Sequence, residues 1–586
     1  MSLSNTNLQL KRALVRLSNA NQILSLCSLS NLPISALLCM CFSAVTFAQP
    51  MPVISSDSSL QMQSSSLGMS DGGAEDAAPS NAPAFVLTEA EIRRIMQQAI
   101  ENFYTPGISV AIVHAGKLVF SGGEGLRNIE QALGADQDTY YRLASTSKAF
   151  TSAALGILVD QGKLNWQDRV IDHLPYFQMQ DPWVTREFTV QDLLTHRSGL
   201  VSAAGDSMIW PEPSGFSREE VINNLRFLTP QYSFRSQYAY SNVLYITAGE
   251  LVAKISEQAF EQFVDEHVFK ALDMDCFAGN MPANKLDNVA MAYAHNDTKG
   301  LYAVPRNAIH GTTQMSAAAG GMVCSVNQMS KWLLALLGHS ELPFSQSQLS
   351  QMWGSQTILG ISDIDQEWDG TLFKTYGLGW RLSNLYEYKM VSHTGTLSGY
   401  QAYVTLVPEF DLGVVVLNNG SNYGARGAVM QSIIKAVLAV HKGEKVAQDW
   451  IQTYVDYQAK REAQYIARNV KEPAGSGKVI ISKRDILGTY KDRWFGDFAV
   501  FTDPDNKRKI RIQHNKMSTL TGNFIAFHGT SYKVEWDNSN AQADAFLHFE
   551  TNQSGKVSGF KMHPFTSEER QNHEYLDMHF IKQLIE

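Results

Sequence analysis

The sequence predicts an α+β fold: an antiparallel sheet flanked by helices with a helical subdomain, followed by a C-terminal all-β meander or small barrel. Three observations carry this. Strand patterns lie near both ends of the first 440 or so residues, at "GISVAIVHAGKLVFSGGEG" and "KMVSHTGTLSGYQAYVTLVPEFDLGVVVLNNGS". The stretch between them is mostly helical and loop-rich, so one sheet must be assembled from distant segments. After residue 475, short runs such as "KIRIQ", "GNFIAFHG" and "DAFLHFE" alternate polar and apolar residues between turn signals.

The chain has 586 residues, 44% hydrophobic and 18% charged, with a formal net charge of −9. That length suits more than one core-forming domain. No lysine/arginine block stands out, which argues against a nucleic-acid partner, because phosphate binding needs a concentrated basic surface.

Residues 1–48 read as an export signal. Lys11, Arg12 and Arg16 precede the apolar run Leu32–Ala48, and Thr46 and Ala48 offer a small-residue cleavage pattern. The run is short for a bilayer span of about 20 residues. An exported, periplasmic or secreted protein is expected, with a membrane tether if the leader stays. Residues 49–84, rich in serine, glutamine, proline and glycine, read as a disordered linker.

The first folded domain is expected over 85–443. Its first helix starts at "TEAEIRRIMQQAIENF", with Thr88 as cap and glutamates in the first turn. Two strands then turn at His114-Ala115-Gly116-Lys117, three antiparallel strands follow late, and "GARGAVMQSIIKAVLAVHKG" reads as the closing helix. Residues 444–475 read as a charged helical linker, and 476–586 as the β domain.

Cys276 and Cys324 would remain after leader removal, either joined or as two separate buried thiols, the plainer reading. No cysteine/histidine spacing resembles a zinc site, so neither metal nor cofactor is expected.

Two Ser-x-x-Lys pairs occur. Ser558 and Lys561 fall on an alternating run, where a three-residue spacing sends side chains to opposite faces. Ser145 and Lys148 fall where an extended stretch passes into helical periodicity, so the lysine can share a face with the hydroxyl. A serine hydroxyl needs a base to become a nucleophile. A lysine desolvated beside other cations can lose its proton and serve. Helix-start N–H groups favour developing negative charge.

Two more segments complete a pattern: Tyr240-Ser241-Asn242 leading into a helix, and His393-Thr394-Gly395 on a strand. With Ser145/Lys148 these resemble, in order, the S-x-x-K, Y-x-N and K-T-G or H-x-G elements of the serine β-lactamase and penicillin-binding protein superfamily. Within it the likeness is to class C β-lactamases, D-alanyl-D-alanine carboxypeptidases, D-aminopeptidases and related esterases. The resemblance covers roughly residues 84–443, and the tail is similar to the lipocalin-like domain of some members.

The resemblance implies a β-lactamase-like fold and acyl-enzyme chemistry on a small-molecule or peptide substrate. Ser145 would attack the carbonyl. Tyr240, its phenol acidified by Lys148, would relay the proton, or Lys148 would act as base itself. The N–H groups of Ser145 and Thr396 would form the oxyanion hole. Asn242 would orient the substrate amide and Lys148. Gly395 would let the strand approach the substrate. His196 would brace a loop. His393 departs from the lysine of many relatives and supplies positive charge poorly near pH 7. That shifts the expectation from β-lactams and C-terminal D-alanine toward esters, or amides without a free carboxylate. A non-catalytic ligand-binding or sensor module is the reading from another class.

Overall fold

The computed structural model describes residues 85–279, 281–296, 299–304, 314–446, 448–467, 475–538, 545–564, 575 and 577–583. The leader and linker expected over residues 1–84 lie outside them.

Helix α1 (Glu89–Asn102) opens the domain with a full capping box: Thr88 and Glu91 each satisfy the other's backbone N–H. Strand β1 (Gly107–His114) pairs with β2 (Lys117–Asn128) through Ala115 and Gly116, both at positive φ. That geometry is the hairpin turn whose twist matches its strands.

The main sheet has nine strands. Besides β1 and β2 they are β3 (Leu133–Gly134), β4 (Thr357–Ile358), β5 (Lys374–Tyr376), β6 (Arg381–Leu385), β7 (Tyr388–Leu397), β8 (Tyr400–Val407) and β9 (Leu412–Asn418). Their order is β3-β2-β1-β9-β8-β7-β6-β5-β4. The join between sequence-distant halves is the antiparallel pair β1–β9, with Ile108 opposite Asn418 and Val113 opposite Gly413.

Every residue of β1 and of β9 is buried, because both faces of the sheet centre are covered. Ile108, Val110, Ile112, Val414 and Val416 pack toward α1 and α4 (Tyr423–His441). Ala111, Val113, Val415 and Leu417 face the opposite core, which holds α2 (Lys148–Asp160) and α3 (Asn242–Ser256). Helix α2 is buried along its length from Lys148 to Leu158. A helix apolar all round belongs at a domain's centre.

Helix α5 (Trp450–Ala467) falls in the stretch expected to link the two domains. It packs on the catalytic domain: Trp450, Tyr454 and Tyr457 surround Trp368.

The tail closes into an eight-stranded antiparallel barrel: β10 (Gly488–Lys491), β11 (Asp497–Thr502), β12 (Ile510–His514), β13 (Thr521–Gly529), β14 (Ser531–Trp536), β15 (Ala545–Thr551), β16 (Val557–Pro564) and β17 (His579–Lys582). Pairing of β13 with β14 closes the ring, and pairing of β10 with β17 joins its two chain ends. Phe498, Phe549, Phe560 and Phe580 fill the interior. Ser558 sits on β16, its hydroxyl donating to the Glu550 carbonyl, while Lys561 pairs with the Glu550 carboxylate. Cys276 and Cys324 are joined as a disulfide, which corrects the expectation of separate thiols.

Candidate active site

Ser145 lies in a short 3₁₀ turn, Ala144–Ser147, that runs directly into α2. Ala144, immediately before it, holds φ at +48° although it is not glycine. Such backbone costs of order 1–3 kcal/mol and persists only where its surroundings enforce it. Here the enforcing neighbour is β7. A Cβ on Gly395 would stand 2.4 Å from the Leu143 carbonyl oxygen, 2.9 Å from Ala144 Cβ and 3.1 Å from Ser145 N. Glycine is thus required so that the strand can touch the serine's own backbone, a different reason from the expected approach to substrate.

Lys148, wholly buried, projects from the start of α2 into a polar cage. Its Nζ donates to Asn242 Oδ1 at 2.7 Å and to the Ala319 carbonyl at 2.6 Å, and lies 3.3 Å from Ser145 Oγ. It also stands over the rings of Tyr240 and Tyr245, 4.7 and 5.1 Å from their centroids. Burial drives its pKa well below the ordinary lysine value; Asp206 opposes this and Arg381 reinforces it. Burial in that setting favours the neutral amine, whose lone pair can accept a proton.

Asn242 opens α3, whose cap is the Ser241 hydroxyl accepting from Leu244 N. Its amide nitrogen donates to Asp206 Oδ2 at 2.8 Å, so its oxygen is left to face Lys148. The Ser241 N–H donates to His196 Nδ1 at 3.0 Å, and the His196 ring lies 4.1 Å from that of Tyr240. His196, itself at φ +54°, therefore braces the Tyr240–Asn242 segment.

The Tyr240 hydroxyl is buried beside Ser145 without a closed hydrogen bond among the described residues, though Ser145 is near enough to ease its ionisation. Its pKa is nevertheless raised well above the usual phenol value, by burial first, with Arg381 and Ser145 opposing. The expected acidification of this phenol is not what its surroundings produce. Lys148 is the group that gives up its proton readily, and Tyr240 keeps its own.

His393 is 1% exposed. Its Nδ1 donates to the Thr394 carbonyl at 2.8 Å and its Nε2 accepts from the Tyr376 hydroxyl at 2.9 Å. Burial, Arg381 and Lys148 hold its pKa well below the ordinary histidine value, so it stays neutral. Ser145, Asn242 and Thr396 line a cleft of about 280 Å³, joined there by Asp206 and Glu212. Lys148, Tyr240, His393 and Gly395 stand behind that lining.

Four contributors carried no sequence signal. Arg381 is half-buried and donates to Thr394 Oγ1 at 3.2 Å, supplying positive charge that helps burial depress Lys148 and His393. Arg426, from α4, donates to the carbonyls of Gly395 and Ala402, the latter at 3.1 Å. Asp206 fixes the Asn242 flip. Ala319 accepts from Lys148 through its carbonyl.

Residues 92–439 match the family model described as Beta-lactamase, and residues 484–579 match a domain of unknown function (DUF3471). An unguisins hydrolase of Aspergillus campestris is 25% identical over 399 residues, 66% of this chain and 71% of that protein. Protein flp of Staphylococcus aureus strain MW2 is 25% identical over 343 residues, covering 57% of this chain and 63% of its own length. Among solved structures, the octameric penicillin-binding protein homologue of Pyrococcus abyssi superposes with a TM-score of 0.53 at 20% identity, over 85% of this chain and all of the other. The match to the family model spans more than half the chain and contains the serine–lysine pair, the tyrosine–asparagine element and the histidine strand. This chain therefore belongs to the beta-lactamase family of serine hydrolases, with a domain of unknown function appended.

Proposed function

We propose that this protein is an exported hydrolase that cleaves an ester or amide bond through an acyl-enzyme on Ser145. The observation that carries the reading is the buried, deprotonation-prone Lys148 amine 3.3 Å from Ser145 Oγ. As Ser145 Oγ bonds to the substrate carbonyl carbon, its proton passes to the Lys148 lone pair. The carbonyl oxygen takes up negative charge beside the backbone N–H groups of Ser145 and Thr396. Collapse expels the leaving group, which takes a proton from the Tyr240 phenol, and Lys148 returns one to that phenol. Water then attacks the acyl carbon along the reverse proton path and Ser145 recovers its hydrogen.

The cleft supports a substrate without a free carboxylate. Asp206 and Glu212 belong to its lining, Glu212 paired with Arg142, and no lysine, arginine or histidine belongs to the described lining. Neutral His393 adds no cation. Esters and amides with a neutral or amine-bearing group, amino-terminal D-residues among them, fit this wall. Carboxypeptidase or β-lactamase action is the second reading, favoured by Arg381, a fixed cation near the third motif. It ranks below the first because Arg381 is committed to Thr394 and Tyr238 and is not part of the described lining.

A substrate panel tests this: p-nitrophenyl esters, D-amino-acid p-nitroanilides and nitrocefin, each beside Ser145→Ala. Turnover of an ester or anilide that vanishes in the variant is expected. Nitrocefin turnover faster than all others would transfer the assignment to a β-lactamase.

A further inference from the structure

Three residues before Ser145 and three before Ala319 the chain carries a buried polar side chain, and both side chains reach the same carboxylate, that of Glu212. Arg142, wholly buried, sits on the two-residue strand Tyr141–Arg142, which pairs with Val323–Cys324. Its Nη1 is ion-paired with Glu212 Oε2, and its Nη2 donates to Gln314 Oε1 at 2.9 Å. Ser316, also wholly buried, donates its hydroxyl to Glu212 Oε1 at 2.7 Å. The Ser316 carbonyl then gathers the N–H groups of Ala319, Gly320 and Gly321 at 2.9, 2.7 and 2.8 Å, which folds the turn Ala317–Gly321. That turn offers the Ala319 carbonyl to Lys148 Nζ. It also lies against the nucleophile's own turn: a Cβ on Gly320 would stand 3.3 Å from the Ala144 carbonyl carbon.

We propose that Glu212 is a positioning residue: its carboxylate ties the turn that carries Ser145 to the turn that holds Lys148, and so sets the gap between hydroxyl and amine. The inference rests on the hydrolase reading above. A lysine amine stands at the end of a flexible four-carbon stem, so its place is decided by what it touches. The Ala319 carbonyl, at 2.6 Å, is the shortest of the hydrogen bonds Lys148 makes. A carboxylate shared by Arg142 and Ser316 fixes that carbonyl relative to residue 142, and hence to Ser145. It also anchors one flank of Ala144, whose positive φ persists only while its surroundings enforce it. A buried ion pair adds little net stability, because desolvation offsets the attraction; selecting one arrangement is the better use of it. The Glu212 side chain is only 7% exposed, and neither Arg142 nor Ser316 belongs to the described lining of the cleft. The pull is therefore exerted from behind the wall, and its loss falls on the attack by Ser145 rather than on binding. A displacement of about 1 Å between reacting groups costs on the order of 10²-fold in rate.

The test uses the full-length protein and a fluorophosphonate. The maximal labelling rate at Ser145 reads the attack, the half-saturating concentration reads binding, and the final extent of labelling reads the fraction of folded sites. Ser316→Ala deletes one hydroxyl and lowers the maximal rate about tenfold, with half-saturation within about twofold. Glu212→Gln keeps the shape and an acceptor for Ser316 but drops the charge facing Arg142; the rate falls by about 10–10²-fold, again without a binding change. Arg142→Lys keeps the charge and loses the arm to Gln314, so it slows labelling less than Arg142→Met does. Circular dichroism and thermal melting establish folding; if the Arg142 variants do not fold, Ser316→Ala and Glu212→Gln decide. An unchanged maximal rate in folded variants, a smaller extent of labelling alone, or a shift in half-saturation alone overturns the positioning role and leaves the hydrolase standing. Absence of any label at Ser145 in the wild type overturns the hydrolase reading itself.

Discussion

Lys148 Nζ stands 2.7 Å from Asn242 Oδ1, a contact that joins two motifs 94 residues apart. A carbonyl oxygen can receive a proton-bearing nitrogen but offers it no countercharge. The cage therefore holds Lys148 in place, and the countercharge of Asp206 is outweighed by burial.

Lys148→Met removes the base, and general-base assistance is worth roughly 10²–10⁴-fold in rate. The same change raises stability near neutral pH. The unfolded chain protonates this amine up to its ordinary value, whereas the fold releases the proton far earlier. Between those two values the unfolded state binds more protons, so wild-type stability climbs with pH and the mutant's advantage shrinks toward pH 10. Thermal melts across pH 6 to 10 measure the convergence. In the wild type, kcat/KM rises with pH along an acidic limb that reports the lowered lysine.

Tyr240→Phe keeps the ring against His196 and Lys148 and removes only the phenol proton. Turnover falls by about 10²–10⁴-fold. Stability is unchanged or slightly higher, because the hydroxyl is buried without a closed bond among the described residues. Stopped-flow acylation separates this from a folding defect.

Arg426→Gln tests the support of the oxyanion strand. Arg426 donates to the Gly395 carbonyl, the other end of the peptide unit whose N–H belongs to Thr396. Its loss lets that plane rotate. The rate falls by less than the roughly 10²–10³-fold that a direct oxyanion donor commands, with KM little altered. Gly395→Ala, by contrast, drives a methyl into the Leu143 carbonyl and lowers both activity and melting temperature.

Acid sensitivity follows from the buried histidines. His514, between Phe495 and the barrel's aromatic interior, is held neutral by burial down to about 4, and His196 and His393 lie well below the ordinary value too. Below pH 6.5 the unfolded chain takes up protons that the fold refuses. His514 alone removes on the order of 3 kcal/mol between neutral pH and pH 4. Denaturant melts of His514→Asn against pH show a flatter profile if this holds.

The sequence exposed the parts of this molecule that repeat a local rule. The strands expected within residues 107–125 and 389–421 and the Thr88 cap follow from local pattern and hydrogen-bond chemistry within a few residues, and the structure has strands and a cap there. Ser145, Lys148, Tyr240, Asn242 and His393 were visible because each sits in a short ordered motif. Arg381 and Arg426 were not, since a lone arginine in an amphipathic stretch reads as a solvated charge until topology buries it. The helix from Trp450 looked like a linker because its charged face outnumbers the few aromatics that dock it to Trp368.

The most direct measurement is mass-spectrometric mapping of a fluorophosphonate adduct on full-length protein, for wild type, Ser145→Ala and Lys148→Met. A single adduct on Ser145 is predicted in wild type, none in Ser145→Ala, and a slow trace in Lys148→Met. Equal labelling of wild type and Ser145→Ala, or an adduct on any other residue, contradicts the account.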